Sequence, residues 1–362
     1  EEASAIASQF ISQRVATIGS AKRVAAASKV TLAFTQYQID QTTPALFIFN
    51  SGTDDGFVMV SAEDEGRTIL GYSDDGHFDE TNIPTNMQFW LQMYADELAR
   101  YNANKQPGKP ALKRAAVQTS YPTITPILGN VEWGQGEPYN NLCPTVNGER
   151  CVTGCVATAI SQIMYAHKYP TNGTGSKTYT TESHGLQLSV NFGATTYDWT
   201  NMLPYYNSYN STQAQAVATL MYHVGVAADM DYDPDGSGAI SSAALAAITE
   251  YFGYNKSIHV LPKDFMKEET VLQTVASDLQ EGRPVYISGS TVNQEGHAFV
   301  CDGMQSGGYL HINWGWNGSG KYHFYTKIIY FNSDVFSFAE KLYTSGGNQY
   351  DYFECTWSEG NG

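Results

Sequence analysis

Apolar residues recur every three or four positions over three long stretches of the chain, and the recurrence predicts helices there. In the first, Ile6, Phe10, Ile11, Val15 and Ile18 fall on one face of a helix over residues 1 to about 20. In the second, Met87, Phe89, Trp90, Met93, Tyr94 and Leu98 do the same from about Thr85. The third runs from Cys155 to His167, with Val156, Ala159, Ile160, Ile163 and Met164 on one face and Pro170 stopping the pattern. Between the first two lie short runs rich in Val, Ile, Phe and Thr, at 30–34, 45–49, 56–60 and 68–72, and these predict strands. The cluster 51–56 between two of them is a hairpin signal. Further helices are expected at about 211–226, 240–252 and 264–281, and strands at 285–288, 297–302 and 309–314, the last two joined by the turn Gln305-Ser306-Gly307-Gly308.

This order gives two α+β domains. A small one occupies residues 1–104, and a larger one, with helices first and antiparallel strands after, occupies 119–362. The segment 105–118 between them is polar, broken by Pro107 and Pro110, and carries Lys105, Lys109, Lys113 and Arg114. It reads as an exposed linker open to proteolysis, with a permanent tether as the plain alternative.

Composition narrows the function. With 20 basic and 36 acidic residues the formal charge is -16, which argues against nucleic acid or an anionic membrane as partner. No run of apolar residues is long enough for a membrane span. Only 15% of residues are charged while 25 are Tyr and 33 Gly, a makeup that suits an exported protein. The chain opens on Glu1 instead of Met, as a processed or expressed form lacking its export signal would. The five cysteines, at 143, 151, 155, 301 and 355, leave at least one unpaired; Cys143 and Cys151 could bridge across the Asn147-Gly148 turn, or all five could be reduced.

Cys155 is the cysteine with a chemical reason to react. At the first turn of a helix it meets unpaired backbone N–H groups and the positive end of the helix dipole, which favour a thiolate. A small buried residue is the plainer reading of a cysteine there. Of the eight histidines, His297 opens a strand 142 residues downstream, the separation expected of a papain-like pair. His167 lies twelve residues along the same helix, roughly 18 Å away. Asn313, on the strand after that of His297, can return beside it to orient the imidazole, with Trp314 and Trp316 shielding the pair. Asp302 is expected to face the opposite side of its strand. Gln135, in a glycine-flanked loop, is a candidate donor to an oxyanion beside the Cys155 N–H. Cys301 lies four strand residues from His297, roughly 13 Å, too far to pair with it. Asp231 to Ser242 matches part of a calcium loop but has Ser at its twelfth position and Pro234 inside it, so a turn bordering the cleft is preferred and no metal or cofactor is expected.

Taken together, Thr153-Gly154-Cys155-Val156-Ala157-Thr158-Ala159, Gln135-Gly136-Glu137-Pro138-Tyr139-Asn140, Gly296-His297-Ala298-Phe299-Val300, Met230-Asp231-Tyr232 and Asn313-Trp314-Gly315-Trp316 resemble the blocks of the streptopain family in order. The family consists of papain-fold cysteine endopeptidases that bacteria secrete as zymogens. The resemblance spans roughly 121 to 330. It implies Cys155 as nucleophile, His297 as base, Gln135 as oxyanion donor, and Asn313 with Trp314 as support for the histidine. It also implies Gly236, Ser237, Gly238 and Ser241 along the substrate cleft. Residues 1–104 would be a pro-domain inhibiting the enzyme until removed, and protein or peptide chains would be the substrates. After about 330 the pattern departs from the family, and Gly346-Gly347 is a candidate for its mobile loop. A papain-fold amide acyltransferase keeps the same residues with a different acceptor, and a binding protein with a vestigial cysteine needs none of them.

Overall fold

The computed structural model describes residues 2–18, 30–38, 40–63, 68–83, 85–104, 120–255, 258–261, 268–290, 296–316, 323–326, 341–344 and 354–355. The linker 105–118, Gly346-Gly347 and the side chain of Ile18 lie outside the described residues. The chain forms two compact units. One comprises 1–123, 304–312 and 319–338; the other comprises 124–303, 313–318 and 339–362.

In the first unit, α1 (Glu2–Ile18) buries Ala7, Ile11 and Val15 against Phe49, Val58, Val60 and Tyr72. Those residues belong to an antiparallel meander, β1 (Val30–Tyr37), β2 (Pro44–Ser51), β3 (Phe57–Ser61) and β4 (Ile69–Ser73). Gly56 sits at φ 100°, and a Cβ there would lie 2.2 Å from the Ser73 carbonyl oxygen, so the turn into β3 requires glycine. The second predicted helix, α2 (Thr85–Asn104), buries Ala95 and Leu98 against Ala45.

The second unit opens with a small hairpin, β5 (Thr145–Val146) and β6 (Glu149–Arg150), around the Asn147-Gly148 turn. Cys143 and Cys151 flank it as buried free thiols, so the bridge considered between them is not formed. Then comes α3 (Cys155–His167), which ends at Lys168 in the left-handed conformation, φ 52°. Every residue from Val156 to Met164 is buried, as expected of a helix in the middle of a domain whose small residues Ala157 and Ala159 let other elements approach closely. The elements α4 (Ser211–Ala227) and α5 (Ser241–Tyr251) supply much of the surrounding core, together with Tyr286, Ala298 and Val300 from the strand half.

A second hairpin had no counterpart among the expected elements. It consists of β7 (Ser176–Thr180) and β8 (Gln187–Asn191), paired from Ser176↔Asn191 to Thr180↔Gln187. The strand half follows as β9 (Ile258–Leu261), α6 (Glu268–Gln280), β10 (Val285–Ser290) and β11 (Gly296–Gln305). Next are β12 (Tyr309–Asn313), β13 (His323–Thr326), β14 (Lys341–Thr344) and β15 (Glu354–Cys355). In the second unit the strands lie in the order β11-β10-β14-β9-β15, antiparallel throughout. In the first unit β13 joins the meander beside β4, with Tyr325 opposite Tyr72.

Candidate active site

Helix α3 begins without a side-chain cap. Gly154 occupies the N-cap at φ 84° and ψ 144°, and a Cβ there would lie 2.7 Å from Met230 Sδ and 2.9 Å from the Ser237 carbonyl oxygen. Only glycine fits that conformation and that space, which delivers the next residue, Cys155, half-buried at the helix start. The Thr158 hydroxyl donates to the Gly154 carbonyl at 2.9 Å and lies 2.9 Å from that of Thr153, bracing the entry.

Around the Cys155 sulfur two opposing effects meet. Burial raises the thiol pKa above its ordinary value, while the N–H groups of Ala298, Val156 and Cys155 itself face the sulfur and lower it. Burial is the larger, so the helix start alone does not give the depressed value expected from sequence. The other three described thiols are less suited to react. Burial pushes Cys143 up to about 12 and also raises Cys151, and Cys301 is raised well above the ordinary range by burial and by Asp302 beside it.

The Ala298 N–H brings the start of β11 to the Cys155 sulfur, and His297 is its immediate neighbour in the chain. His297 is half-buried and pairs across the sheet with Gly289, which has no side chain to crowd the ring. On the same strand face, two residues on, Phe299 packs against Trp314 with ring centroids 4.8 Å apart. The Asn313 amide donates to the Val131 carbonyl at 2.9 Å and accepts the Gly315 N–H at 3.0 Å, so both bonds bind it to backbone. A Cβ on Gly315 would lie 2.9 Å from Thr158 Cγ2, which seats the 313–315 turn directly on α3. On the other side, the Gln135 carbonyl accepts the Thr153 N–H at 3.1 Å, anchoring the glycine loop two residues before Cys155. The Gln135 side chain is half-buried. Asp302 turns away from the site, as its strand position predicts. It is fully buried, its carboxylate accepting the Leu128 N–H at 3.0 Å and its carbonyl the Ile127 N–H at 2.8 Å.

The loop 229–240 forms one rim beside the helix start. Ser237 is buried in it, its hydroxyl donating to the Val152 carbonyl at 2.7 Å and accepting the Asp233 N–H at 3.0 Å. Gly236 and Gly238 are exposed with open space where a side chain would go, and Ile240 is 71% exposed. The Ser241 hydroxyl lies 2.8 Å from that of Tyr286 and is held inside the unit. Of the four residues placed along the cleft by resemblance, Gly236 and Gly238 therefore present themselves outward, and the two serines brace the rim from within. Two acidic side chains of the calcium-like run are engaged by the β7–β8 hairpin, and Asp233 Oδ1 also accepts the Asp235 N–H inside the loop at 2.8 Å. The Asp231 carboxylate accepts the Ser183 N–H at 3.0 Å and its hydroxyl at 2.6 Å, and Asp233 lies 2.8 Å from His184 Nε2. No group of three or more candidate metal-ligating side chains occurs among the described residues. The partners of Asn313 and the hairpin contacts of Asp231 and Asp233 lay beyond sequence reasoning. They join residues far apart in the chain, and only the alternating Ser-Lys-Thr-Tyr-Thr run hinted at a strand.

Comparison with known proteins gives the arrangement its lineage. The model of the "Peptidase C10 family" matches residues 133–324, a span that takes in the glycine loop, Cys155, His297 and the 313–315 turn. The chain belongs to the Peptidase C10 family. The model of the "Spi protease inhibitor" matches residues 1–98, from α1 into α2. Streptopain of Streptococcus pyogenes is 35% identical over 293 residues, 75% of this chain and 71% of that protein. The thiol protease/hemagglutinin PrtT of Porphyromonas gingivalis is 32% identical over 335 residues, 89% of this chain and 38% of that protein. The chain thus spans well under half of PrtT. Among solved structures, the prointerpain A fragment of Prevotella intermedia superposes with a TM-score of 0.71 at 34% identity, covering 89% of this chain and all of that one. This Peptidase C10 member is a papain-like cysteine peptidase with an inhibitor-like N-terminal domain, the organisation of a zymogen. Acyl transfer to an amine has no support among these relatives.

Proposed function

We propose that the chain is an exported bacterial endopeptidase zymogen in which Cys155 and His297 cut protein chains once residues 1–104 are removed through the linker 105–118. The observation that carries this reading is the meeting of the Ala298 N–H with the Cys155 sulfur at an uncapped helix start, with His297 next in the chain. In the reaction, His297 takes the thiol proton and the thiolate attacks the peptide carbonyl carbon. The carbonyl oxygen then carries the negative charge, taken up by the Cys155 N–H and by the Gln135 amide as second donor. The His297 imidazolium gives its proton to the leaving amine nitrogen, leaving a thioester on Cys155. Water, deprotonated by His297, attacks the thioester and releases the acid and the free thiol. Asn313 and Trp314 support the imidazole from the turn seated on α3, and Gly236 and Gly238 offer an open backbone edge to the substrate, with Ser237 and Ser241 holding that edge in place. The acidic surface leaves nucleic acid and anionic membranes outside the expected partners.

The test incubates the full chain with reductant and follows both its linker and an unstructured protein substrate by mass spectrometry, beside Cys155→Ala. Loss of about the first 115 residues together with the onset of substrate cleavage, both absent in the mutant, is the expected result. Cleavage retained by pure Cys155→Ala would overturn the assignment. No cleavage by wild type after residues 1–115 are cut away would favour a protein that only binds.

A further inference from the structure

The rim beside Cys155 is tied, residue after residue, to one element that the peptidase chemistry does not use. From β7, Lys177 Nζ reaches the Asp229 carboxylate at 2.7 Å and the Ala227 carbonyl, at the end of α4, at 2.8 Å. Two residues on, the Tyr179 hydroxyl donates to the Met230 carbonyl at 2.6 Å. At the hairpin tip, Ser183 gives both its N–H and its hydroxyl to Asp231, and His184 Nε2 pairs with Asp233. Tyr232 and the side chain of Met230 point the other way, fully buried in the core. Every residue from 229 to 233 is thus fixed from one side or the other. The far side of the rim meets the nucleophile: the Val152 N–H donates to the Asp233 carbonyl at 3.3 Å, and Met230 and Ser237 close on Gly154. Asp231 and Gly238 exchange two backbone hydrogen bonds, 2.8 and 3.1 Å, so a shift at Asp231 is passed to the exposed glycines.

We propose that the β7–β8 hairpin tip, Ser183 and His184, is a positioning element for the substrate rim. It holds the acidic run 231–233 so that the open edge Gly236–Gly238 stands in register with Cys155 before a peptide arrives. The contacts are charge-assisted hydrogen bonds at a half-exposed edge, which hold geometry more than they hold the fold. A peptide meeting a fixed edge loses less ordering entropy on binding than one meeting a loose loop. Both residues act on the rim through Asp231 and Asp233, so their effect belongs in substrate binding. The inference rests on the peptidase reading above and deepens it.

The experiment compares wild type with the Ser183→Ala/His184→Ala double variant as full chains activated in the same way. It measures KM and kcat on an extended peptide, and separately the rate at which iodoacetamide, too small to engage the rim, alkylates Cys155. The expected result is a rise in KM of about five- to tenfold with kcat within about twofold, and an unchanged alkylation rate. His184→Gln, which keeps an N–H donor for Asp233, is expected to stay near wild type while His184→Ala does not. A wild-type KM in the double variant, or kcat and alkylation falling together, overturns the proposal while the peptidase reading stands. A wild type that cleaves nothing defeats both.

Discussion

Cys155 stands between a buried setting that keeps its proton and three backbone N–H groups that would welcome a thiolate. Because burial prevails, alkylation of Cys155 in the intact chain is expected to climb on the alkaline side of the ordinary thiol range. Iodoacetamide modification followed across pH by mass spectrometry measures this, and a plateau already reached near pH 6 would show the thiolate paired with a protonated His297 instead. Cys155 and His297 stood out in the sequence because each carries a local signature: a cysteine at the head of an apolar helix, and a histidine opening a strand after glycine. The hydrogen bonds of Asn313 were not. Val131 lies 182 residues away in the chain, and nothing in the pattern around either residue specifies that pairing.

At the scale of elements, the entry to α3 concentrates constraint. Gly154→Ala would place a methyl group against Met230 and Ser237 at a positive φ, costing about 3 kcal/mol or more from backbone strain and overpacking together. A thermal melt of the variant should show a clearly lowered midpoint, and an unchanged one would mean the rim yields freely. The helices were readable because their apolar period is strong, and the small residues Ala157 and Ala159 marked α3 as a helix that other elements could surround. The β7–β8 hairpin was missed for a physical reason. Its inward positions, Lys177 and Tyr179, are amphipathic and only half-buried, so the alternation carries little hydrophobic contrast. It packs Tyr179, Leu188 and Val190 on the core and hydrogen-bonds to an acidic loop fifty residues on.

For the molecule as a whole, two buried histidines set the response to acid. Burial holds His167 and His223 down to about 4; Nδ1 of the first lies 3.3 Å from the Tyr254 hydroxyl and Nδ1 of the second 3.0 Å from that of Tyr197. The unfolded chain takes up these protons in the ordinary histidine range, whereas the native chain does so only near 4. Stability is therefore full above about pH 6.5 and falls as pH drops toward 4, by up to about 1.4 kcal/mol per pH unit for each residue. Melting temperature against pH should fall less steeply over that window for His223→Gln than for wild type, and parallel curves would contradict this account. The first unit also takes in 304–312 and 319–338, and β13 completes the edge of β4. Such a pairing depends on an open strand edge, which has no signature in the partner's own residues.

The bare start of α3 has one more consequence. A helix start with no side-chain cap, its first N–H groups turned only toward a thiol, is slightly prone to unwind at that end. In a peptidase that works this way, the negatively charged oxygen formed during bond breaking is a stronger acceptor than the thiol, so the reacting substrate serves for an instant as the helix's cap. An aldehyde that adds reversibly to Cys155 would mimic that instant, and amide hydrogen exchange in the first turn of α3 should slow when it binds.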